Sequence, residues 1–392
     1  MPFTVKPYRT PWWTLLRRYL ATPQGQGTVL VAVFGGAGIG LVPSITERLV
    51  DFLPEELVGQ EWHAVIFAAV ALLVFLPLAV LGWNRAHARG VGVVINLFPS
   101  PSVARVEQTR AASRENHDMT LYIDPRPAVG DTDARPLAIR AAEALDNHVL
   151  DSVKNLDQTD VSLYPLAPLY DGFQLGRALW DFRPRSLTVM HKPRVIAAPA
   201  VRGVRLSAEL TRPMPSAVAS LAQPLLDVPH NLDGGLCTRV EGVDDADRHR
   251  LALIIDLIND GHVVPNALHV ARTGQVHLPR TGRHTGYVLG PTPHDDGDSC
   301  AATVVIQTRT DSLDEASPDA FEAVARTIYQ TWREARAEWE RTIGHDDIET
   351  RIFIAAPLAI AIALGWVLHN EAAVHVVHHV RALTGSTRRD PA

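Results

Sequence analysis

Two charge-free stretches near the front limit what this chain of 392 residues can fold into more than any other feature. Thr28 to Ile45, TVLVAVFGGAGIGLVPSI, has eighteen residues and no charge, and as a helix it extends roughly 27 Å at 1.5 Å per residue. His63 to Trp83, HAVIFAAVALLVFLPLAVLGW, is longer and more apolar, with Trp62 and Trp83 where an interfacial aromatic belt would lie. The pair predicts two membrane-spanning helices. A secretory signal peptide has a shorter apolar stretch and is not followed by a second span.

The flanks predict an orientation. Lys6, Arg9, Arg17 and Arg18 precede the first span, Arg85 and Arg89 follow the second, and Glu47, Asp51, Glu55, Glu56 and Glu61 lie between. Positive flanks stay inside, so both termini are expected in the cytoplasm of a bacterial cell, with a short acidic loop outside the inner membrane. The leading segment 1–27 contains PWWTLLRRYL (Pro11 to Leu20), which reads as a short interfacial helix. Gly36 and Gly40 form a GxxxG pair suited to close helix packing. Gly35, Gly36, Gly38 and Gly40 lack the preceding strand and downstream acid of a dinucleotide fingerprint.

Composition narrows the function. A formal charge of -6 argues against a binder of DNA or RNA backbones, so any nucleotide ligand is expected to be small. The only two cysteines, Cys237 and Cys300, are too few for a disulfide framework or a zinc site and read as thiols of a reducing compartment.

Beyond Arg89 the pattern is that of an α/β protein. VGVVINLF (Val91 to Phe98) is a short β-branched strand stopped by PSPS, and ATVVIQTR (Ala302 to Arg309) is comparable, followed by the polar TDSLDEASPD. An amphipathic helix is expected after each. The second starts with Ser317 as N-cap and Pro318 in the first turn, buries Phe321, Val324, Ile328, Trp332, Ala335 and Trp339, and stops at Gly344. The first runs from about Pro136 to Leu156, burying Ala142, Leu145, Val149 and Leu156.

An internal echo follows. Pro165 to Gly176, PLAPLYDGFQLG, matches Ile354 to Gly365, IAAPLAIAIALG, at five of twelve positions without a gap. Each copy leads to another β-rich segment, SLTVMH (Ser186 to His191) and AVHVVH (Ala373 to His378). The first copy carries Asp171 and Gln174 and cannot span a membrane, so the second is read as the same soluble unit. Pro357 then ends a strand, Arg351 to Ala355, and opens a helix of about ten residues, roughly 15 Å long and too short to span. Gly176 and Gly365 are expected where helix and strand backbones pack closely.

The predicted fold is therefore two N-terminal transmembrane α-helices at 28–83 plus a cytoplasmic α/β domain of two pseudo-symmetric Rossmann-like units. These occupy 90–192 and 301–380, with an intervening region 193–300 and a polar tail 381–392. The intervening region offers a strand, Val204 to Leu210, a helix, Arg248 to Asp260, closed by Gly261, and a basic surface turn, Leu278 to Gly286. Two such units set two crevices at the carboxyl ends of their strands face to face, which suits a ligand with repeated phosphates.

The segments AAPLAIAIALGWVL (Ala355 to Leu368) and LAPLYDGFQLGRAL (Leu166 to Leu179) resemble the SAVED domain, which consists of two fused CARF-like units. With two membrane helices in front, the order of parts is similar to the membrane effectors of bacterial CBASS anti-phage systems. The resemblance implies a cyclic di- or trinucleotide ligand made by a partner nucleotidyltransferase of the CD-NTase kind. It also implies homo-oligomerisation on ligand binding, disruption of membrane lipid, and a sensor without catalysis or cofactor of its own.

The residues point the same way on catalysis. There is no P-loop, HExxH, GxSxG or paired CxxC, and PHDDGDSC (Pro293 to Cys300) reads as a solvated loop. His375, His378 and His379 read as wet histidines of a terminal strand; no metal site is expected. For the nucleotide the candidates are Ser100 and Ser102 after the first strand, and Thr308, Arg309, Thr310 and Ser312 after its partner. Tyr170 is a candidate for stacking on a base, Asp171 and Gln174 for reading a base edge, and Arg177, His191 and Lys192 for meeting phosphate. The rivals are a membrane-anchored scaffold or regulatory protein that binds a protein partner, and a membrane-bound enzyme of nucleotide metabolism.

Overall fold

The computed structural model describes residues 90–381 apart from 100–101, 118, 127–134, 153–158, 193–199, 232–233, 243–247, 260, 275–284, 289–298, 311–312 and 314–316. The two expected membrane spans, the leading segment and residues 382–392 lie outside the described residues. Among the described residues no helix is long and apolar enough to cross a membrane.

In chain order the elements are β1 (Val91–Asn96), α1 (Val103–Asn116), β2 (Met119–Ile123), α2 (Leu137–Ser152), β3 (Asp160–Leu166), α3 (Leu169–Ala178), β4 (Ser186–His191) and β5 (Val201–Leu206). Then come α4 (Ser216–Ala222), β6 (Leu226–Asp227), β7 (Thr238–Arg239), β8 (Arg250–Asp256), α5 (Val263–Thr273), β9 (Thr285–Val288) and β10 (Ala302–Thr308). The chain continues through α6 (Pro318–Ile343), β11 (Glu349–Ala355), α7 (Leu358–Val367), β12 (Val374–Val376) and β13 (His378–Arg381).

One sheet has the order β2-β1-β3-β4-β5, and the other runs β12-β11-β8-β10-β6, with β7 also paired to β10. In the first, β1, β3 and β4 are parallel and β5 closes the edge antiparallel to β4. In the second, β12, β11, β8 and β10 are parallel, and β6 and β7 lie antiparallel to β10. The strings β2-β1-β3-β4 and β10-β8-β11-β12 are the same arrangement twice, each with the Pro-led helix between its third and fourth strands in chain order. The domain is thus α/β with two mixed sheets and an internal repeat.

The stretch Arg248 to Asp260 is not the expected helix. It holds β8, hydrogen-bonded between β11 and β10 at the centre of the second sheet, with Leu251 to Asp256 all buried. A strand covered on both faces is a continuous apolar run, and its periodicity cannot be told from that of a buried helix. The second unit therefore takes its central strand from within 193–300. The topological partner of β1 is β8, and that of β10 is β2, so the strand pairing expected between Val91–Phe98 and Ala302–Arg309 is displaced by one strand.

Helix α1 was not expected either. It buries only Val106, Thr109 and Ser113, too few apolar positions to register as an amphipathic period. Helix α2 is described over Leu137–Ser152, with Ala142, Leu145 and Val149 buried as the spacing predicts and Leu156 outside the described residues. The strand expected at Val204 to Leu210 starts earlier, at Val201, and gives way to a 3-10 turn at Ala208–Thr211. The segment Ala373 to His378 divides between β12 and β13, and β13 pairs antiparallel with β9.

Helix α6 follows its sequence closely. Ser317 Oγ accepts from the Ala320 amide at 3.2 Å, Pro318 opens the first turn, and Gly344 ends it at φ 73°, a left-handed conformation that costs glycine little. Phe321, Val324, Ile328, Trp332, Ala335 and Trp339 are all buried. The two indoles keep polar partners in the core, Trp332 Nε1 on Thr350 Oγ1 at 3.1 Å and Trp339 Nε1 on the Arg248 carbonyl at 2.8 Å.

Candidate functional site

The repeat meets itself at α3 and α7. Each helix is led by a proline, Pro168 at φ -59° and Pro357 at φ -54°, which presets the turn out of β3 or β11 and brings no N–H to satisfy. The glycines do what sequence spacing suggested, but against another partner: helix packs on helix. A methyl at Gly176 would overlap the backbone carbonyl of Ile362, and one at Gly365 would overlap that of Phe173. Phe173 and Ile362 hold matching places in the repeat, so the contact is reciprocal about a pseudo-two-fold axis. Gly172 faces Leu358 and Ile362, whereas Gly176 faces Ile362 and Trp366. The partner number rises with the helix number, so the two helices run in the same sense and start at the same end.

The axis continues through a ring pair. Trp180 and His369 also occupy matching repeat positions, and they stack with centroids 3.4 Å apart and planes 14° from parallel. Trp366 leans on Trp180 at 4.7 Å. Arg177 spends its guanidinium at the far end of α7, on the carbonyls of Val374 and Leu368 at 3.3 Å each and on that of Glu371. Burial lowers its pKa, against the pull of Glu371, and its charge complements the negative end of the helix.

At the starting end of the two helices lie the carboxyl ends of the strands. In the first unit the Leu97 amide donates to the Leu166 carbonyl at 2.7 Å, joining the ends of β1 and β3. Asn96, the last residue of β1, is fully buried. Its Oδ1 accepts from the Phe98 amide at 3.3 Å, and its carboxamide lies against the Tyr122 hydroxyl and the Asp124 carboxylate, where its hydrogen bonding acts to lower both pKa values.

Near it, Arg126 holds Asp124 in a fork, with Nε on Oδ1 at 2.7 Å, and reaches the Pro99 carbonyl at 3.1 Å. The hydrogen bonds from Arg126 keep the Asp124 carboxyl below its usual range, while burial, then Asp124, push the Tyr122 hydroxyl up. Arg110 lies 3.7 Å over the Tyr122 ring and Arg105 lies 5.5 Å over that of Phe98. Tyr170, Asp171 and Gln174 sit half-buried on the first turns of α3, and Lys192, just past β4, donates to Gln108 of α1 at 3.2 Å.

The equivalent places in the second unit are differently furnished. Asp256 ends β8, buried like Asn96, but its Oδ1 accepts from the amides of Ile258 at 3.2 Å and Asn259 at 3.1 Å. The end of β10 is covered by the turn into β6: Thr308 Oγ1 and the Arg309 amide both donate to the Leu225 carbonyl, at 3.2 and 2.9 Å. The Arg309 side chain pairs with Asp227 at 3.1 Å, and Thr310 bonds to Thr308. Every residue of α7 after Leu358 is buried, and Ala359 touches the backbone side of Gly203 in β5.

The structure thus gathers Tyr170, Asp171, Gln174, His191 and Lys192 around the first unit's strand ends and places Thr308, Arg309 and Thr310 at the second's. Ser102 is exposed at the start of α1, and Ser100 and Ser312 lie outside the described residues. His191 is turned inward, its ring 4.7 Å from Phe321 of α6. Arg177 stands at the opposite end of the helix pair from the Pro-led turns. Asn96, Phe98, Asp124 and Arg126 were not expected; the available signal was a lone polar residue closing the apolar run VGVVI. Among the described residues no group of three His, Cys, Asp or Glu could hold a metal. A pocket of about 230 Å³ on the outside of α6 carries Arg336 between Glu340 at 2.9 Å and Glu371 at 2.8 Å, so that cation is already neutralised.

No family model matches the chain, and no curated protein matches it. Among solved structures it is similar to the Acinetobacter baumannii Cap4 SAVED/CARF-domain receptor with the cyclic trinucleotide 3'3'3'-cAAA, at a TM-score of 0.37 and 12% identity, over 81% of this chain and 56% of that one. The same receptor with 2'3'3'-cAAA gives a TM-score of 0.33 and 12% identity, over 78% and 50%. The chain spans about half the length of these structures.

Proposed function

We propose that the chain is a cyclic-oligonucleotide-sensing membrane effector of an anti-phage system. The α/β domain is the sensor and 28–83 supplies two spans in the bacterial inner membrane, with the sensor and both termini in the cytoplasm. The observation that carries the reading is the reciprocal α3–α7 contact. It joins two Rossmann-like units so that both Pro-led helices start at one end, where the carboxyl ends of the strands lie. Backbone amides at strand-to-helix turns suit phosphate oxygens, and a pseudo-two-fold frame suits a ligand that repeats. A cyclic di- or trinucleotide has both properties, and a CD-NTase-like nucleotidyltransferase would supply it.

In this reading the domain performs no chemistry of its own. Two spans per subunit cannot enclose a pore, so membrane damage requires several subunits, and the ligand drives assembly by binding the assembled state more tightly. The close-packing pair Gly36 and Gly40 serves the clustered helices within the lipid.

Purified full chain in detergent micelles, titrated with a panel of cyclic di- and trinucleotides, tests the sensor. Tight binding without turnover supports it, turnover favours a membrane-bound enzyme, and absence of binding favours a scaffold. Reconstituted into liposomes, the chain should release dye only with the cognate nucleotide; equal release without it removes the effector role. A periplasm-dependent reporter should be active near Glu56 and inactive after Ala392.

A further inference from the structure

The end of the domain opposite the Pro-led turns carries a chemistry of its own. There β1, β3 and β4 begin level, with Val91 opposite Val161 and Asp160 opposite Ser186. The Arg185 amide donates to the Thr159 carbonyl at 3.0 Å, which seats the turn from α3 into β4 at the amino ends of the strands. Because α3 and α7 run in the same sense, the turn after α7 emerges at this end too, where His369 stacks on Trp180.

Trp180 is half-buried, and Arg183 is exposed, its guanidinium 4.6 Å over the indole and without a carboxylate partner among the described residues. Arg185 is 67% exposed, with Asp160 at 3.7 Å as its counter-charge, and Ser186 Oγ donates to that same carboxylate. Within the turn Asp181 alone opposes the two arginines. In the turn after α7, Glu371 is held aside by Arg336 at 2.8 Å.

The chain itself brings this end to a bilayer. Val91 follows Trp83, the last residue of the second expected span, by eight residues, at most about 29 Å of extended chain. Helix α6, with 26 residues, is about 39 Å long, so the leash is shorter than the domain it holds. It enters at the amino end of β1, and the carboxyl end of that six-residue strand lies about 20 Å further on. An indole favours the zone between headgroups and acyl chains, and a guanidinium pairs with phosphate through two parallel hydrogen bonds.

We propose that the turn from Trp180 to Arg185 docks on the cytoplasmic leaflet, with Arg183 and Arg185 on the phosphates of anionic phospholipid and Trp180 at headgroup depth. This rests on the two-span reading above and adds to it the surface that meets lipid and the class of lipid it takes. Docked in this way, the amino ends of the strands face the membrane, and their carboxyl ends face the cytoplasm and whatever diffuses there.

The test uses the full chain in nanodiscs of phosphatidylcholine, with and without phosphatidylglycerol, and reads hydrogen exchange. Amides of 180–186 should exchange at least about threefold more slowly in the anionic disc, because each arginine near such a surface is attracted to it. Those of 96–98, at the other end of β1, should exchange equally in both. Arg183→Gln combined with Arg185→Gln, at exposed positions whose neutralisation leaves the core intact, should erase the difference. Equal exchange at 180–186 in the two discs overturns the docking while the spans stand. So does slowing that extends to 96–98, a difference that survives the double substitution, or one that inorganic phosphate reproduces in the neutral disc. A chain that does not enter nanodiscs at all fails the two-span reading itself, and the leash and the docking fall with it.

Discussion

Gly176 and Gly365 each lie under a backbone carbonyl of the other's helix, Gly176 under Ile362 and Gly365 under Phe173. Neither position has room for a side chain, because the obstructing atom in both cases is backbone and cannot rotate away. The two units of the α/β domain are therefore joined at a distance that only glycine permits.

The first prediction follows directly. Gly176→Ala and Gly365→Ala should each destabilise the chain by roughly 1–3 kcal/mol or more, the range of an overpacked contact. Because one opening of the helix pair relieves both overlaps, the double variant should cost less than the two single costs added together. Denaturant unfolding of the full chain measures all three; unchanged midpoints in both single variants would refute the reciprocal contact.

Arg177 should prove structural. Its donors go to Val374, Leu368 and Glu371 carbonyls at the end of α7, and a hydrogen bond to a charged group contributes about 1.5–3 kcal/mol net. Arg177→Met should lower the unfolding midpoint clearly while leaving nucleotide affinity of the folded protein within twofold. A selective loss of affinity would return Arg177 to the ligand.

His369 links stability to pH. Burial is the largest cause that lowers its pKa from the ordinary 6.5, opposed by the hydrogen bond to the Trp366 carbonyl and by Asp181, and assisted by Arg183 and Arg177. A base with a lowered folded value binds fewer protons in the native state. Its contribution is fully present above the unfolded value and is lost as pH falls through the folded one. Melting temperature should therefore fall more steeply below about pH 6.5 in wild type than in His369→Phe, which keeps a ring on Trp180 and cannot titrate. Parallel curves would remove His369 as the cause.

Cys237 should be inert while the domain is folded. Burial, with a smaller push from Glu338, raises its thiol to about 12, and its Sγ lies 3.2 Å from the Ala335 carbonyl. Thiolate is the reacting species, so iodoacetamide at neutral pH should label Cys237 only on unfolding. Rapid labelling of the native chain would contradict the burial.

The sequence by itself determined the local pieces. Ser317, Pro318 and Gly344 set the ends of α6 through cap chemistry, and its apolar spacing named the buried face, because both signals are written within one or two helical turns. The echo between Pro165–Gly176 and Ile354–Gly365 settled that IAAPLAIAIALG is a strand end and a short helix, since ten residues cannot span a bilayer. Tertiary structure alone decided the rest. Arg248 to Asp260 became a central strand because β10 and β11 take up its backbone hydrogen bonds, an arrangement to which an unbroken apolar run gives no clue. Likewise Asn96 and Asp256 hold matched strand ends, but Asn96 meets Tyr122 and Asp124 of a neighbouring strand and its exit while Asp256 accepts from the amides of its own turn, a difference set by which groups the fold brings beside each.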